Sequence, residues 1–318
     1  MKKCPVKKNK YLIRYLTLSI PVIVLLVVII GFMDSRAEKA QPPTYPSLWE
    51  CFDPDFQKAL LLALQKEFRG QYRDTVGTKK AALVVVDITD LQHPKVASLN
   101  PDVMLYAASL PKIAILLGAF VQIEQGQMPL NDQTRAEFTR MIRNSSNKAA
   151  TAVLNRVGFE NLAEILQSEK YRLYDPKHNG GLWVGRDYGG GRLWKRDPIN
   201  NISHGATAMQ AARFYYLAET GRLVSSQYFD DFVEIMSKPA IQHKFVKGIR
   251  KNKPNAKILR KSGTWKGFHA DSGVIFDLES NYKYIIVALV EHPQGGEGLA
   301  RLAAVVDQVM DGIHRKSK

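Results

Sequence analysis

Ser109 and Lys112 stand three residues apart at the head of a strongly apolar run, 113–120. On a helix that spacing puts both side chains on one face, and Pro111 between them suits the first turn. A helix N-terminus favours developing negative charge, and apolar neighbours lower a lysine's pKa toward the neutral amine that accepts a proton. The pair is therefore a candidate nucleophile and base. The pattern has only two fixed positions: Ser145 with Lys148 and Ser280 with Lys283 also satisfy it, and a plain helix-capping serine reads equally well at Ser109. Two further polar clusters accompany it. Ser145-Ser146-Asn147 lies 36 residues on, in a loop before the helical run 148–154, and Lys261-Ser262-Gly263-Thr264 closes an expected strand.

The order of these three clusters resembles that of the penicillin-recognising serine hydrolases, specifically the class A β-lactamase-like branch with its Ser-x-x-Lys, Ser-Asp-Asn and Lys-Thr-Gly signature. The likeness runs from the 84–87 strand through Tyr106-Ala107-Ala108-Ser109 and the helix start at 206–209 to the terminal helix. It implies Ser109 as acylated nucleophile, Lys112 as its base and Ser145 as the proton shuttle to the leaving nitrogen. Asn147 would hold a substrate amide. Lys261, Ser262, Gly263 and Thr264 would form the substrate-binding stretch that grips the carboxylate of a β-lactam or a D-alanyl peptide. The backbone N–H groups of Ser109 and Thr264 would make the oxyanion hole, where one donor contributes about 3–4 kcal/mol in the transition state. No cofactor and no metal are implied.

The chain departs from the family pattern in four places. The first two clusters are closer together than usual, which implies a trimmed helical lobe. Ser146 replaces the aspartate and Ser262 the threonine of the signature. Class A enzymes place a deacylating glutamate about 36 residues after the second-motif serine, near Gly181 here, but no Glu occurs between Glu169 and Glu219. Asp187 and Asp197 are the nearest carboxylates besides Asp175, and they read as loop residues in water. A positioned base contributes about 10²–10⁴ in rate, so without one the acyl-enzyme is long-lived. Three readings follow: a serine hydrolase that opens β-lactam amides, a D-alanyl-D-alanine peptidase or esterase acting on peptidoglycan, and a non-catalytic penicillin- or wall-binding sensor.

The elements that must position these residues can be read from hydrophobic period. Asp53-Pro54 opens an amphipathic helix ending near Gly70; buried-strand patterns occupy 81–87 and, more weakly, 95–99. Three late strands are expected at 257–262, 273–278 and 282–290, followed by a terminal helix. The middle, about 103–236, is helical in pattern apart from 172–206. The fold class is therefore α/β: one antiparallel sheet flanked by N- and C-terminal helices, with an inserted all-helical lobe. The stretch 178–206 carries seven glycines with Trp183, Tyr188 and Trp194, which fits either a loop whose aromatics stack on sugar rings or one whose aromatics pin it to the core. Nine basic residues and no acid lie between Lys238 and Lys261. Apart from Lys261 they read as a solvated face, with an anionic lipid or wall polymer as the rival; His269 reads as structural.

The chain has 318 residues, 45% hydrophobic and 24% charged, which excludes collagenous, disulfide-scaffold and disordered classes. Residues 1–14 hold six basic residues and no acid, and residues 15–33 are uncharged, long enough for a single membrane span. The positive-inside bias makes 1–14 a cytoplasmic tail and places the rest outside, in the periplasm at the inner membrane. A cleaved signal peptide is the rival reading. Residues 34–48, with Pro42, Pro43 and Pro46, read as a stiff tether to a hydrolase domain at 49–318. The two cysteines, Cys4 and Cys51, then lie on opposite sides of the membrane. The expected partners are a small-molecule β-lactam or a peptidoglycan stem peptide, with the membrane held through the N-terminal helix and no nucleic acid. Dinucleotide, Walker and His-Glu-x-x-His fingerprints do not occur.

Overall fold

The computed structural model describes residues 44–71, 73–279 and 281–316. In chain order, helix α1 (Pro54–Phe68) and the short α2 (Arg73–Gly77) precede strands β1 (Ala81–Asp87), β2 (Lys95–Leu99) and β3 (Leu105–Tyr106). Helices α3 (Lys112–Glu124), α4 (Asp132–Ile142), α5 (Asn147–Val157) and α6 (Phe159–Gln167) come next. Four short strands follow: β4 (Tyr174–Asp175), β5 (Gly180–Gly181), β6 (Trp183–Val184) and β7 (His204–Ala206). Helices α7 (Ala208–Glu219), α8 (Phe229–Met236) and α9 (Phe245–Asn252) then lead to β8 (Lys257–Trp265), β9 (Phe268–Asp277), β10 (Tyr282–Glu291) and α10 (Gly295–Lys316).

The main sheet runs β2-β1-β10-β9-β8 with every pairing antiparallel, and β8 forms one edge. The Ala82–Val86 stretch of β1 shows no hydrophobic alternation because both faces of its strand are buried. Leu83 and Val85 pack with Phe56, Leu60, Phe245, Leu299 and Val306 beneath the terminal helices, whereas Val84 and Val86 join Leu116, Phe120 and Phe214 on the side of the helical lobe. Asp53 caps α1 by accepting the Phe56 amide at 2.8 Å, and Pro54 occupies the first helical position, as the sequence suggests. Tyr45 and Leu48, assigned by proline content to the tether, instead pack on this core.

Three features differ from the sequence expectation. Strands β8 and β9 run on past 262 and begin before 273, joined by a tight turn at Lys266-Gly267 with Lys266 in the left-handed region (φ 51°). Helix α7 lies against the sheet as well as the lobe, with the Tyr215 hydroxyl 3.0 Å from Ser272 Oγ of β9. Most of the basic run is exposed as expected (Lys238, Lys247, Arg250, Lys251 and Lys257), but Lys244 and Arg260 are buried and Lys253 is half-buried. Arg260 forms a buried pair with Asp271 at 2.7 and 2.8 Å, and Lys253 is bonded to Asp307 at 2.9 Å and Asp311 at 2.8 Å. Among the described residues no helix is long and apolar enough to cross a membrane. The tail at 1–14, the span expected at 15–33 and the tether up to residue 43 lie outside the described residues.

Candidate active site

Strand β3 pairs with β7, and the Ala107 amide continues that contact onto His204 O at 2.8 Å. The chain then turns sharply. Ala108 adopts the left-handed conformation at φ 50°, a sparsely populated place for a residue with a side chain. The turn closes through Leu110 N on Ala107 O at 3.0 Å and Lys112 N on Ser109 O at 3.3 Å before α3 starts. Ser109 thus stands in the turn that precedes the helix rather than within it, and the residue is only partly buried.

Lys112 begins a helix in which eleven of thirteen residues are buried, and the lysine itself has 0% exposure. Its Nζ donates to Ser145 O at 2.6 Å and to Asn147 Oδ1 at 2.8 Å, and lies 3.4 Å from Ser145 Oγ. Burial lowers its pKa to about 7, so near neutral pH about half of it is the uncharged amine. A neutral amine has two N–H groups and one lone pair. The two short bonds can employ the N–H groups and leave the lone pair for a proton.

Ser145 is also left-handed, at φ 57°, in the loop between α4 and α5. Ser146, where the family signature has aspartate, caps α5 by accepting the Ala149 amide at 3.2 Å, which shows how this loop is held without the carboxylate. From β8, Lys261 reaches across to donate to Ser145 Oγ at 2.9 Å and to its neighbour Ser262 O at 2.6 Å. Lys261 is 1% exposed, and desolvation with the like charges of Lys112 and Arg260 pushes its pKa well down, against the pull of Asp271. An arriving carboxylate would favour its ammonium form again.

Gly263 lets β8 approach the nucleophile turn. A Cβ there would press on the Ala107 carbonyl oxygen and stand 2.8 Å from Ser109 N and 2.9 Å from Leu110 N. Gly263→Ala is therefore expected to push β8 away from Ser109. A misplacement of about 1 Å at a reacting centre costs on the order of 10²-fold. The acylation rate of the variant, measured with a labelled penicillin, should fall by that order; an unchanged rate would show that the close approach has no bearing on the site.

Ser109, Lys112, Ser145, Asn147 and the Lys261–Thr264 stretch, distant in sequence, therefore meet in one place. Two residues there were not assigned to the catalytic cluster from the sequence. Lys244, from the basic run, is 3% exposed and donates to Gly263 O at 2.5 Å, Thr264 Oγ1 at 2.8 Å and Ala270 O at 3.1 Å. Burial lowers its pKa to about 8, partly offset by Asp271. Tyr188 lays its ring 4.5 Å from Lys112 Nζ and donates its hydroxyl to Ala108 O at 3.3 Å. Its backbone N–H and C=O both meet Thr151 Oγ1 at 3.0 Å, which fixes this part of the loop on α5.

The other loop aromatics pin the loop rather than face outward. Trp183 is buried, and Trp194 stacks on both Trp183 and Phe159, with centroids 5.8 and 5.4 Å apart. The loop carboxylates are not free in water. Asp197 is 2% exposed and bonded to the Tyr174 hydroxyl and the Asn200 amide; Asp187 closes its own turn on the Arg192 amide at 2.9 Å. His269 lies opposite Thr264 in the β8–β9 pairing and packs against Gly295, consistent with a structural role. An apolar cleft of about 600 Å³ between α1, α10 and the sheet receives none of the motif residues.

Solved structures share this architecture. PBP-A superposes with a TM-score of 0.62 at 16% identity, covering 85% of this chain and 100% of that one. A variant of PBP-A, described as an acyl-enzyme complex with penicillin G, gives 0.61 at 16% identity, with 80% and 97% covered. A β-lactamase from Sphaerobacter thermophilus gives 0.62 at 13% identity, with 81% and 97% covered. No curated protein matches the chain. The family model described as the beta-lactamase enzyme family matches residues 69–138 and 135–313, most of the described domain, and the chain belongs to that family.

Proposed function

We propose that the protein is a membrane-anchored, extracytoplasmic serine hydrolase that forms an acyl-enzyme on Ser109 with β-lactams or D-alanyl-D-alanine-type amides. The observation that carries this reading is the convergence on Ser145: Lys261 donates to its Oγ at 2.9 Å, and Lys112 approaches the same oxygen at 3.4 Å. A proton path follows. The lone pair of Lys112 takes the Ser109 proton as Oγ attacks the carbonyl carbon. The lysinium returns a proton to Ser145, whose own hydroxyl proton passes to the leaving nitrogen as the C–N bond breaks. Asn147 would hold the substrate amide, Ser262 and Thr264 its carboxylate under the positive potential of Lys261 and Lys244, and the N–H groups of Ser109 and Thr264 the oxyanion. The acyl-enzyme described for the PBP-A variant with penicillin G supports the same chemistry here.

Release of the acyl group is the step the site serves least. Asp197 is engaged within its own loop, Asp187 accepts the Arg192 amide on Oδ2 while its Oδ1 is buried without a hydrogen-bond partner, and the ring of Tyr188 covers Lys112. This favours the peptidase-like alternative, a penicillin-trapping enzyme whose normal substrate is a peptidoglycan stem peptide, over a fast β-lactamase. Nitrocefin separates the two. The expected result is one equivalent of chromophore in a burst, followed by slow release; sustained rapid turnover would overturn slow deacylation. Absence of any burst or adduct would favour the non-catalytic sensor. The membrane and periplasmic placement rests on the charge and length of residues 1–33 and is tested by fractionation and protease access in intact cells.

A further inference from the structure

The peptide group that joins Ala108 to Ser109 carries the Ser109 N–H, one of the two donors expected at the oxyanion, and the Ala108 carbonyl. In a planar trans peptide these point opposite ways, so whatever holds the carbonyl also aims the N–H. The N–H end lies beside β8: a Cβ on Gly263 would stand 2.8 Å from Ser109 N. The carbonyl end meets the glycine-rich loop, where the Tyr188 hydroxyl donates to Ala108 O at 3.3 Å. Ala108 is left-handed at φ 50°, a conformation that persists only where its surroundings hold it.

The same side chain touches the base. Its ring lies 4.5 Å from Lys112 Nζ and is backed by the His204 ring, with centroids 4.3 Å apart, while Thr151 Oγ1 pins its main chain to α5 at 3.0 Å. A ring laid on an amine keeps water from it, and loss of water disfavours the ammonium. The attraction of an ammonium for a ring face acts the other way, but burial prevails at Lys112. Two other titratable groups bear on this amine. Lys261 of β8 is one, and His204 of β7, held neutral by burial with a pKa of about 4, is the other. Both stay in place when Tyr188 alone is changed.

Resting on the acyl-enzyme reading above, we infer that Tyr188 is a positioning residue with two separable actions: its hydroxyl sets the Ala108–Ser109 peptide so that the Ser109 N–H meets the oxyanion, and its ring keeps water off the Lys112 amine. A donor on the carbonyl also polarises the peptide and strengthens its N–H as a donor. An oxyanion donor acts mainly on the transition state, so the hydroxyl belongs to the limiting rate of acylation and not to substrate binding. The ring belongs to the pH at which the base becomes available.

The test follows the nitrocefin burst of the wild-type protein, Tyr188→Phe and Tyr188→Leu over a range of concentrations between pH 5 and 9. Tyr188→Phe keeps the ring and loses the hydroxyl. Its limiting acylation rate should fall about fivefold, with the half-saturating concentration and the pH midpoint near 7 unchanged. Tyr188→Leu loses both. Water then reaches the amine and favours its ammonium, so the midpoint should rise by about one unit toward the ordinary lysine value; the rate at pH 7 falls below that of Tyr188→Phe and part of the loss returns at pH 9. A merely structural role would lower the burst amplitude, the share of folded protein, and leave the limiting rate and midpoint as in the wild type. That outcome, an unchanged rate in Tyr188→Phe, or an unmoved midpoint in Tyr188→Leu would overturn the inference. If the wild-type protein is never acylated, the acyl-enzyme reading itself falls and takes this one with it.

Discussion

Replacing Lys112 with methionine is expected to lower the rate of Ser109 acylation by about 10²–10⁴, the contribution of a positioned general base. Methionine keeps the length and the apolar stem and removes only the amine that meets Ser145 O and Asn147 Oδ1. The pH dependence supplies a second readout. The amine works as a base only when uncharged, and burial sets its pKa at about 7. Acylation by the wild-type protein should therefore rise about tenfold per pH unit below 7 and level off above it. Lys112→Met should lose that dependence along with the rate. Measurement by quenched intact mass between pH 5 and 9 decides the matter: a variant that keeps both rate and profile would show that another group takes the proton.

Lys261→Met is expected to cost about 10²–10³ in acylation. The substitution removes the donor at 2.9 Å from Ser145 Oγ and the cation nearest the expected carboxylate. Truncating one member of a buried, hydrogen-bonded charge pair costs about 2–5 kcal/mol, most of it felt only when the anionic partner is present. The loss should accordingly be large for benzylpenicillin and clearly smaller for an ester of the same compound whose carboxylate is masked. Equal losses for the two would assign Lys261 to holding Ser145 alone. Lys244 stands one layer further back, with its three donors on Gly263 O, Thr264 Oγ1 and Ala270 O, and its removal should act mainly through the position of Thr264.

How much of this was legible in the sequence follows from where each residue's partners lie. The unbroken apolar run of β1 announced a strand buried on both faces, and Asp53-Pro54 announced the start of α1, because those signals are local. The nucleophile and its lysine were legible for the same reason: they share one turn. Lys244 was not, because it is held by main-chain carbonyls of β8 and β9, which leave no trace in the identity of side chains. Nor was Arg260, whose burial depends on Asp271 of the neighbouring strand. In a basic run that is mostly exposed, composition does not show which cations are buried by partners elsewhere in the chain.

The place of Tyr188 beside Lys112 was missed on similar grounds. Its contact with Lys112 depends on the loop folding back onto Thr151, and nothing in the glycine-rich stretch encodes that return. The hairpin turn at Lys266-Gly267 escaped notice because the residues around it do not alternate in hydrophobicity. Lys261 and Gly263 meet Ser145 and the Ser109 turn there, for reasons other than core packing. The left-handed backbone at Ala108 and Ser145 lies at the turn into Ser109 and in the loop that presents Ser145 Oγ to Lys261.

The account stands or falls on Ser109 becoming acylated. The most direct test exposes the protein and its Ser109→Ala variant to benzylpenicillin, quenches with acid, and maps the modified peptide by mass. The predicted result is a single penicilloyl group on the peptide carrying Ser109 in the wild-type protein and no adduct in the variant. An adduct that survives in the Ser109→Ala protein, or a wild-type protein that never gains one, would contradict it.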